Sequence, residues 1–137
     1  MDSNIARLIM GMKLNPPATK EKLEEAEVKL GITFPTQYRE FMLCTNGAEG
    51  PIGEYSYLAI WQVENIAQYN EGYKVNDFNP GLVYFGSDGG GMAFAFDNRT
   101  KETPIITIPF ESINHEWLEL CGYTFIEFLQ SQYDWEE

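Results

Sequence analysis

Apolar positions along this chain fall into short periodic runs, separated by glycine, proline and asparagine. The clearest run is Leu82 to Asp97, LVYFGSDGGGMAFAFD. Met92, Phe94 and Phe96 alternate with Ala93, Ala95 and Asp97, a period of two that places successive side chains on opposite faces of a strand. Leu82 to Phe85 is aromatic and branched, which also favours a strand. Gly89, Gly90 and Gly91 can adopt the positive φ of a tight reversal. The pattern predicts a central β-hairpin with large side chains on one face. Ala93 and Ala95 on the other face leave room for a close neighbour.

The rest of the chain is organised around that hairpin. Asn4 to Met12 has helical spacing, with Ser3 as its cap, and Asn15-Pro16-Pro17 ends it. Thr19 caps a helix over Lys20 to Leu30 that aligns Leu23, Ala26 and Leu30, and Gly31 stops it. Phe34-Pro35-Thr36 opens another helix, to about Thr45, with Tyr38, Phe41 and Met42 inward and Asn46-Gly47 at its end. Ala48 to Tyr55 reads as a loop and Tyr57 to Trp61 as a strand. Val63 to Glu71 reads as a helix with Val63, Ile66, Ala67 and Asn70 inward. Gly72 to Gly81 is a polar turn region. Pro104 to Pro109 is a further strand, its prolines indicating either an edge or strand ends. Glu111 to Gly122 fits a short helix or an extended segment equally well. Thr124 with Glu127 forms a capping box for a last helix to about Tyr133. Helices come first, strands cluster in the middle and a helix closes the chain. The expected class is therefore α+β, with a mainly antiparallel sheet and helices packed on it. No repeat or linker divides residues 1–137, so one domain is expected.

Charge changes the picture more than composition does. The 137 residues are 44% hydrophobic and 15% aromatic, as a packed core requires. The net charge is -12 and unevenly placed. Residues 1–50 carry seven acids and six bases, whereas residues 51–137 carry fourteen acids and three bases. An acidic half disfavours direct contact with nucleic acid or an anionic membrane and favours a basic partner. No apolar run approaches the ~18 residues of a membrane span. The start, MDSNIARLIMGMKLN, lacks a basic segment followed by a long apolar one, so a cytoplasmic protein is expected. Cys44 and Cys121 are too few for a disulfide framework and read as two reduced cysteines.

Candidate chemistry is sparse. Gly86-Ser87-Asp88-Gly89-Gly90-Gly91 lacks the Lys-Ser/Thr ending of a phosphate loop, does not fit GxSxG and joins two strands. A structural turn, with Asp88 bonding its own backbone, is the simpler reading. His115 is the only histidine, and a Cys–His pair with Cys121 would need an orienting group that the sequence does not supply. Asp97 to Glu102 begins like a calcium loop but places Arg99 and Lys101 where oxygen ligands belong. Glu111, Glu116 and Glu119 read as acidic surface, and Trp61, Trp117 and Trp135 as core or edge aromatics. No cofactor or metal is expected.

Three motifs, in order, carry a resemblance. Ala26-Glu27-x-x-Leu30-Gly31-x-x-Phe34-Pro35-x-x-Tyr38-x-x-Phe41, followed by Asn46-Gly47, resembles the opening signature of the SUKH superfamily. Phe85-Gly86-Ser87-Asp88-Gly89-Gly90-Gly91 resembles that family's glycine-rich strand turn. Thr124 to Leu129 resembles its closing helix. Phe34 replaces the commoner leucine and Thr124 the commoner serine. The match covers roughly residues 18–130. It implies an α+β fold without catalysis. Bacterial members are similar to immunity proteins that neutralise a toxin, often a nuclease, and fungal relatives regulate cell-wall assembly through protein contacts. The matched residues are mostly structural and bring no binding site with them.

Resemblance and charge together give the expected function. It is a protein-binding domain whose acidic surface covers the basic cleft of a cognate toxin, with a regulatory scaffold for an endogenous protein as the alternative. The candidate contacts are Glu49, Glu54, Tyr55, Asp77, Asp88 and Glu111, acids and one tyrosine in loops or at strand ends. A homodimer is left open.

Overall fold

The computed structural model describes residues 1–137. Its elements, in chain order, are α1 (Ser3–Leu8), β1 (Lys13–Leu14), α2 (Lys20–Leu30), α3 (Thr36–Cys44), β2 (Ala48–Ile52), β3 (Ser56–Ile60), α4 (Val63–Gly72), α5 (Val75–Phe78), β4 (Leu82–Ser87), β5 (Met92–Asp97), β6 (Ile105–Pro109), β7 (Glu119–Gly122) and α6 (Phe125–Asp134). The strands form one seven-stranded sheet in sequence order, and every neighbouring pair is antiparallel. The fold is α+β.

The β4–β5 hairpin occupies the sheet's centre, and its two faces divide the core as the alternation requires. Val83, Phe85, Phe94 and Phe96 join the larger cluster beneath the helices. Phe85 stacks on Phe96 at 4.4 Å, and Phe128 of α6 sits edge-on to Phe94 at 5.0 Å. Leu82, Tyr84, Ala93 and Ala95 join a smaller cluster on the opposite face with Val75, Ile106 and Ile108. Phe110 and Leu118, from the segment after β6, pack against that cluster together with Trp61.

Two glycines are fixed by close approach. A Cβ on Gly86 would lie 2.4 Å from the Ala59 carbonyl oxygen, where β3 meets β4 beside a bulge between Tyr84 and Gly86. Gly47 has φ +85°, and a Cβ there would lie 2.4 Å from the Ile60 carbonyl oxygen.

Beyond this short contact β3 ends at Ile60, so Leu82 to Tyr84 of β4 have no strand partner on that side, and α4 packs there. Asn70 Oδ1 accepts the Tyr84 N–H at 2.8 Å. Its Nδ2 donates to the carbonyls of Tyr84 and Ile66, each at 2.8 Å. One side-chain amide thus satisfies the edge of β4 as a strand would.

The opening motif also folds for identifiable reasons. The N-cap of α3 is Pro35, which has no side-chain acceptor. Glu27 of α2 instead anchors the residue before that cap: its Oε2 accepts the Phe34 N–H at 2.7 Å and its Oε1 accepts from Arg39 of α3. The Glu27 side chain is 14% exposed. Glu27→Ala leaves two partly buried donors unpartnered, with an expected cost of about 2–3 kcal/mol in urea unfolding. A cost under about 0.5 kcal/mol, the range of an ordinary surface change, would show that water replaces the carboxylate.

Tyr38 is the opposite case. It is fully buried among Phe34, Phe85, Phe96 and Phe125, and its hydroxyl has no hydrogen-bond partner. Burial pushes its pKa far above the ordinary tyrosine value. Tyr38→Phe removes the unpaired polar atom and keeps the ring, so unfolding should shift to higher denaturant by about 1 kcal/mol. A clear loss of stability would mean that the hydroxyl is bonded in solution.

Several local expectations differ from the structure. Ala48 to Ile52 forms β2, because Ala48 and Ile52 are buried beneath the sheet while Glu49 and Pro51 face out. Helix α1 ends at Leu8 and is capped by Asp2 rather than Ser3, through its Oδ1 and the N–H groups of Asn4 and Ile5. Helix α3 ends on Thr45 in extended conformation, not on a left-handed cap. Asn46 instead turns back to α4: its Oδ1 accepts the Val63 N–H and its Nδ2 donates to Glu64. Of the three turn glycines, only Gly89 has positive φ, at +80°. Strand β6 lies between β5 and β7, so its prolines mark strand ends and not a sheet edge.

Candidate functional site

The helices do not cover the whole of their face. Beyond the C-terminal half of α6 the sheet lies open and forms a groove of about 520 Å3, the size of a small-ligand site. Its floor is Met92 and Phe94 of β5 with Thr107 of β6. Tyr55 and Tyr57 stand on one side, from the β2–β3 hairpin. Ser131, Gln132 and Trp135 form the α6 side, and β7 supplies Glu119, Leu120 and Cys121. Asp88 projects from the β4–β5 turn.

The hairpins hold these side chains in place. Asp88 Oδ1 accepts the N–H groups of Gly90 (2.8 Å) and Met92 (3.2 Å), so it shapes its own turn. Gly53, at φ +66°, lets the β2–β3 turn press against α6, where a Cβ would lie 2.1 Å from the Tyr133 carbonyl oxygen. The Tyr57 hydroxyl donates to Glu49, whose carboxylate raises the tyrosine pKa.

Electrostatically the groove has one sign. Asp88 and Glu119 are its charged lining residues, and neither takes part in an ion pair. Glu54, Asp134 and Glu136 line the adjoining depression, which shares Tyr55 and Trp135 with the groove and also contains Arg7. Burial, and then Glu119, push the Cys121 thiol up to about 11, so it stays protonated and is a poor nucleophile. His115 is occupied elsewhere, with Nε2 2.7 Å from the Pro80 carbonyl oxygen. No group of three or more His, Cys, Asp or Glu residues is arranged to hold a metal ion. No helix is long and apolar enough to cross a membrane.

Residues 17–131 match the model of the SMI1 / KNR4 family (SUKH-1). The chain belongs to this family. Membership supports a non-catalytic, immunity-like or regulatory domain. Apart from Asp88 of the glycine-rich turn, which lines the groove, the SUKH motif residues sit away from it and act structurally: Glu27 ties the segment before α3 to α2, Asn46 holds the start of α4, and Gly86 permits the β3–β4 contact. Thr124 Oγ1 accepts the Glu127 N–H, as a capping box requires, whereas Glu127 returns its bond to Tyr123. The chain is also 36% identical over 85 residues to the Bacillus subtilis (strain 168) "Uncharacterized protein YnaB". That alignment covers 62% of this chain and 54% of YnaB, so the chain spans about half the length of the curated relative it matches.

The structure brings some of the six candidate contacts together and separates others. Tyr55 and Asp88 line the groove, Glu54 lies in the adjoining depression, and Glu49 reaches the groove through Tyr57. Asp77 lies on α5 in a different depression with Glu71 and Lys74. Glu111 is exposed at the start of the segment that crosses the smaller cluster, outside the groove lining. The groove also contains Tyr57, Glu119 and Trp135, none of them among the six candidates; Glu119 reads from sequence as acidic surface and Trp135 as a core or edge aromatic. Strand alternation assigned no function to Tyr57, and Glu119 fell in a segment with no clear period.

Proposed function

We propose that this SUKH domain is a single cytoplasmic binding domain that neutralises a basic toxin domain, of nuclease type, by covering its active-site cleft. The observation that carries this reading is the groove itself. It is concave, has aromatic sides, and its charged lining residues are acids with no base beside them. A nuclease holds phosphates with lysines and arginines, so its cleft offers the complementary surface. Charge accelerates the encounter, while Tyr55, Tyr57 and Trp135 supply the ring area that holds a complex together. Family membership supports the same reading at the level of an immunity-like or regulatory protein.

The test is affinity capture from the native host, eluted with a salt gradient and identified by mass spectrometry. A basic domain that elutes as salt rises is expected. It should be lethal when expressed alone and harmless when co-expressed with this chain. A captured partner that is harmless alone would replace neutralisation with regulatory scaffolding.

A further inference from the structure

We propose that the groove is a receptor for one arginine side chain of the partner, a deepening that rests on the protein-binding reading above. Its three kinds of surface suit the three parts of that side chain. The apolar floor of Met92 and Phe94 suits an aliphatic stem. Tyr57 and Trp135, 41% and 52% exposed, offer ring faces on which a planar, weakly hydrated guanidinium can stack. Asp88 and Glu119 offer carboxylate oxygens. Asp88 commits Oδ1 to its own turn and leaves Oδ2 without a protein partner, and Glu119 makes no side-chain hydrogen bond or ion pair. An ammonium can use the charge but has no planar surface to stack and no fork to meet a carboxylate.

The experiment titrates the intact protein with N-acetyl-arginine-N-methylamide, whose only charge is the guanidinium, and follows the indole and ring signals by NMR. Saturable shifts at the Trp135 indole and the Tyr57 ring are expected, with a dissociation constant on the order of millimolar. The uncharged citrulline analogue should bind at least about tenfold more weakly, the loss of one charge-assisted hydrogen bond. The lysine analogue should fall between them. Asp88→Asn keeps Oδ1 for the turn and removes the charge; together with Glu119→Gln it should weaken arginine binding by at least about tenfold while the remaining spectrum stays unchanged. Equal shifts from citrulline, equal affinity for lysine, or arginine shifts that survive the double variant would each overturn the inference. The titration needs no partner protein, so it separates the two readings. Arginine binding in a protein that captures no basic domain would sink neutralisation and keep the receptor. Capture of such a domain by a groove indifferent to arginine would do the reverse.

Discussion

Asn70→Leu is expected to remove about 3–5 kcal/mol of unfolding free energy, the largest single-residue stability effect argued for this chain. The reason is the inventory of one amide. Asn70 has two donors and one acceptor engaged at 2.8 Å, and two of those three bonds go to the backbone of Tyr84. Asn70 is 8% exposed and Tyr84 is 1% exposed, so water has little access to replace them. Leucine is similar in volume and fits the site, yet it leaves the Tyr84 N–H and carbonyl both desolvated. Each such group costs about 1–3 kcal/mol. Against the 5–15 kcal/mol typical of a whole domain, the loss is severe. Asn70→Asp should be nearly as damaging, because it keeps an acceptor for the N–H but turns a carboxylate oxygen towards the Tyr84 carbonyl. Urea unfolding of both variants measures this. A loss below about 1 kcal/mol in Asn70→Leu would mean that β4 shifts to find other partners.

Asn70 also shows where sequence reading stops. Its helical spacing places it inward with Val63 and Ile66, and the structure agrees. What it bonds to depends on β3 ending before it covers Tyr84, a long-range fact that no local pattern contains. The same division runs through the chain. The central hairpin was legible because alternation is local, and Ala93 and Ala95 are fully buried in the smaller cluster. Strand β2 was not, because its sequence AEGPI holds a glycine and a proline, and only pairing with β3 makes it a strand. Strand β7 lay in a segment whose backbone is set by tertiary bonds. Asn114, His115 and Trp117 all have positive φ there, while Asn79 clamps the segment through the Ser112 carbonyl and the His115 N–H. Trp117 is left 77% exposed. Acidity was legible by counting, but the convergence of three hairpin and strand ends on one groove was not, and Glu119 and Trp135 were missed for that reason.

That convergence sets the second large effect. Glu49→Lys, Glu54→Lys and Glu119→Lys together, which shift the net charge from -12 to -6, should slow association with the basic partner domain proposed above by about 10–100-fold at low salt. The salt dependence of the rate should flatten as well, since steering by exposed charges is what salt screens. Dissociation should change less, because rim charges act mainly on encounter. All three glutamates are exposed and none belongs to an ion pair, so the fold should tolerate their reversal. Asp88 is left out because its Oδ1 builds the β4–β5 turn. Losing Glu49 should also bring the Tyr57 pKa back down, a spectroscopic sign that the variant is folded and that this hydrogen bond is gone. The control is Glu71→Lys, Asp77→Lys and Glu111→Lys. It makes the same change in net charge at positions away from both the groove and its adjoining depression, two of which are sequence candidates. Stopped-flow association over a range of salt concentrations separates the cases. A slow first triple beside a near-normal control places the steering charge at the groove. Equal slowing in both would reduce the effect to overall charge, and two unchanged rates would remove the acidic surface from the mechanism. The first outcome is the one the geometry favours, because acids gathered round a concave site focus their field on an incoming cation, whereas Glu71 and Asp77 share their depression with Lys74.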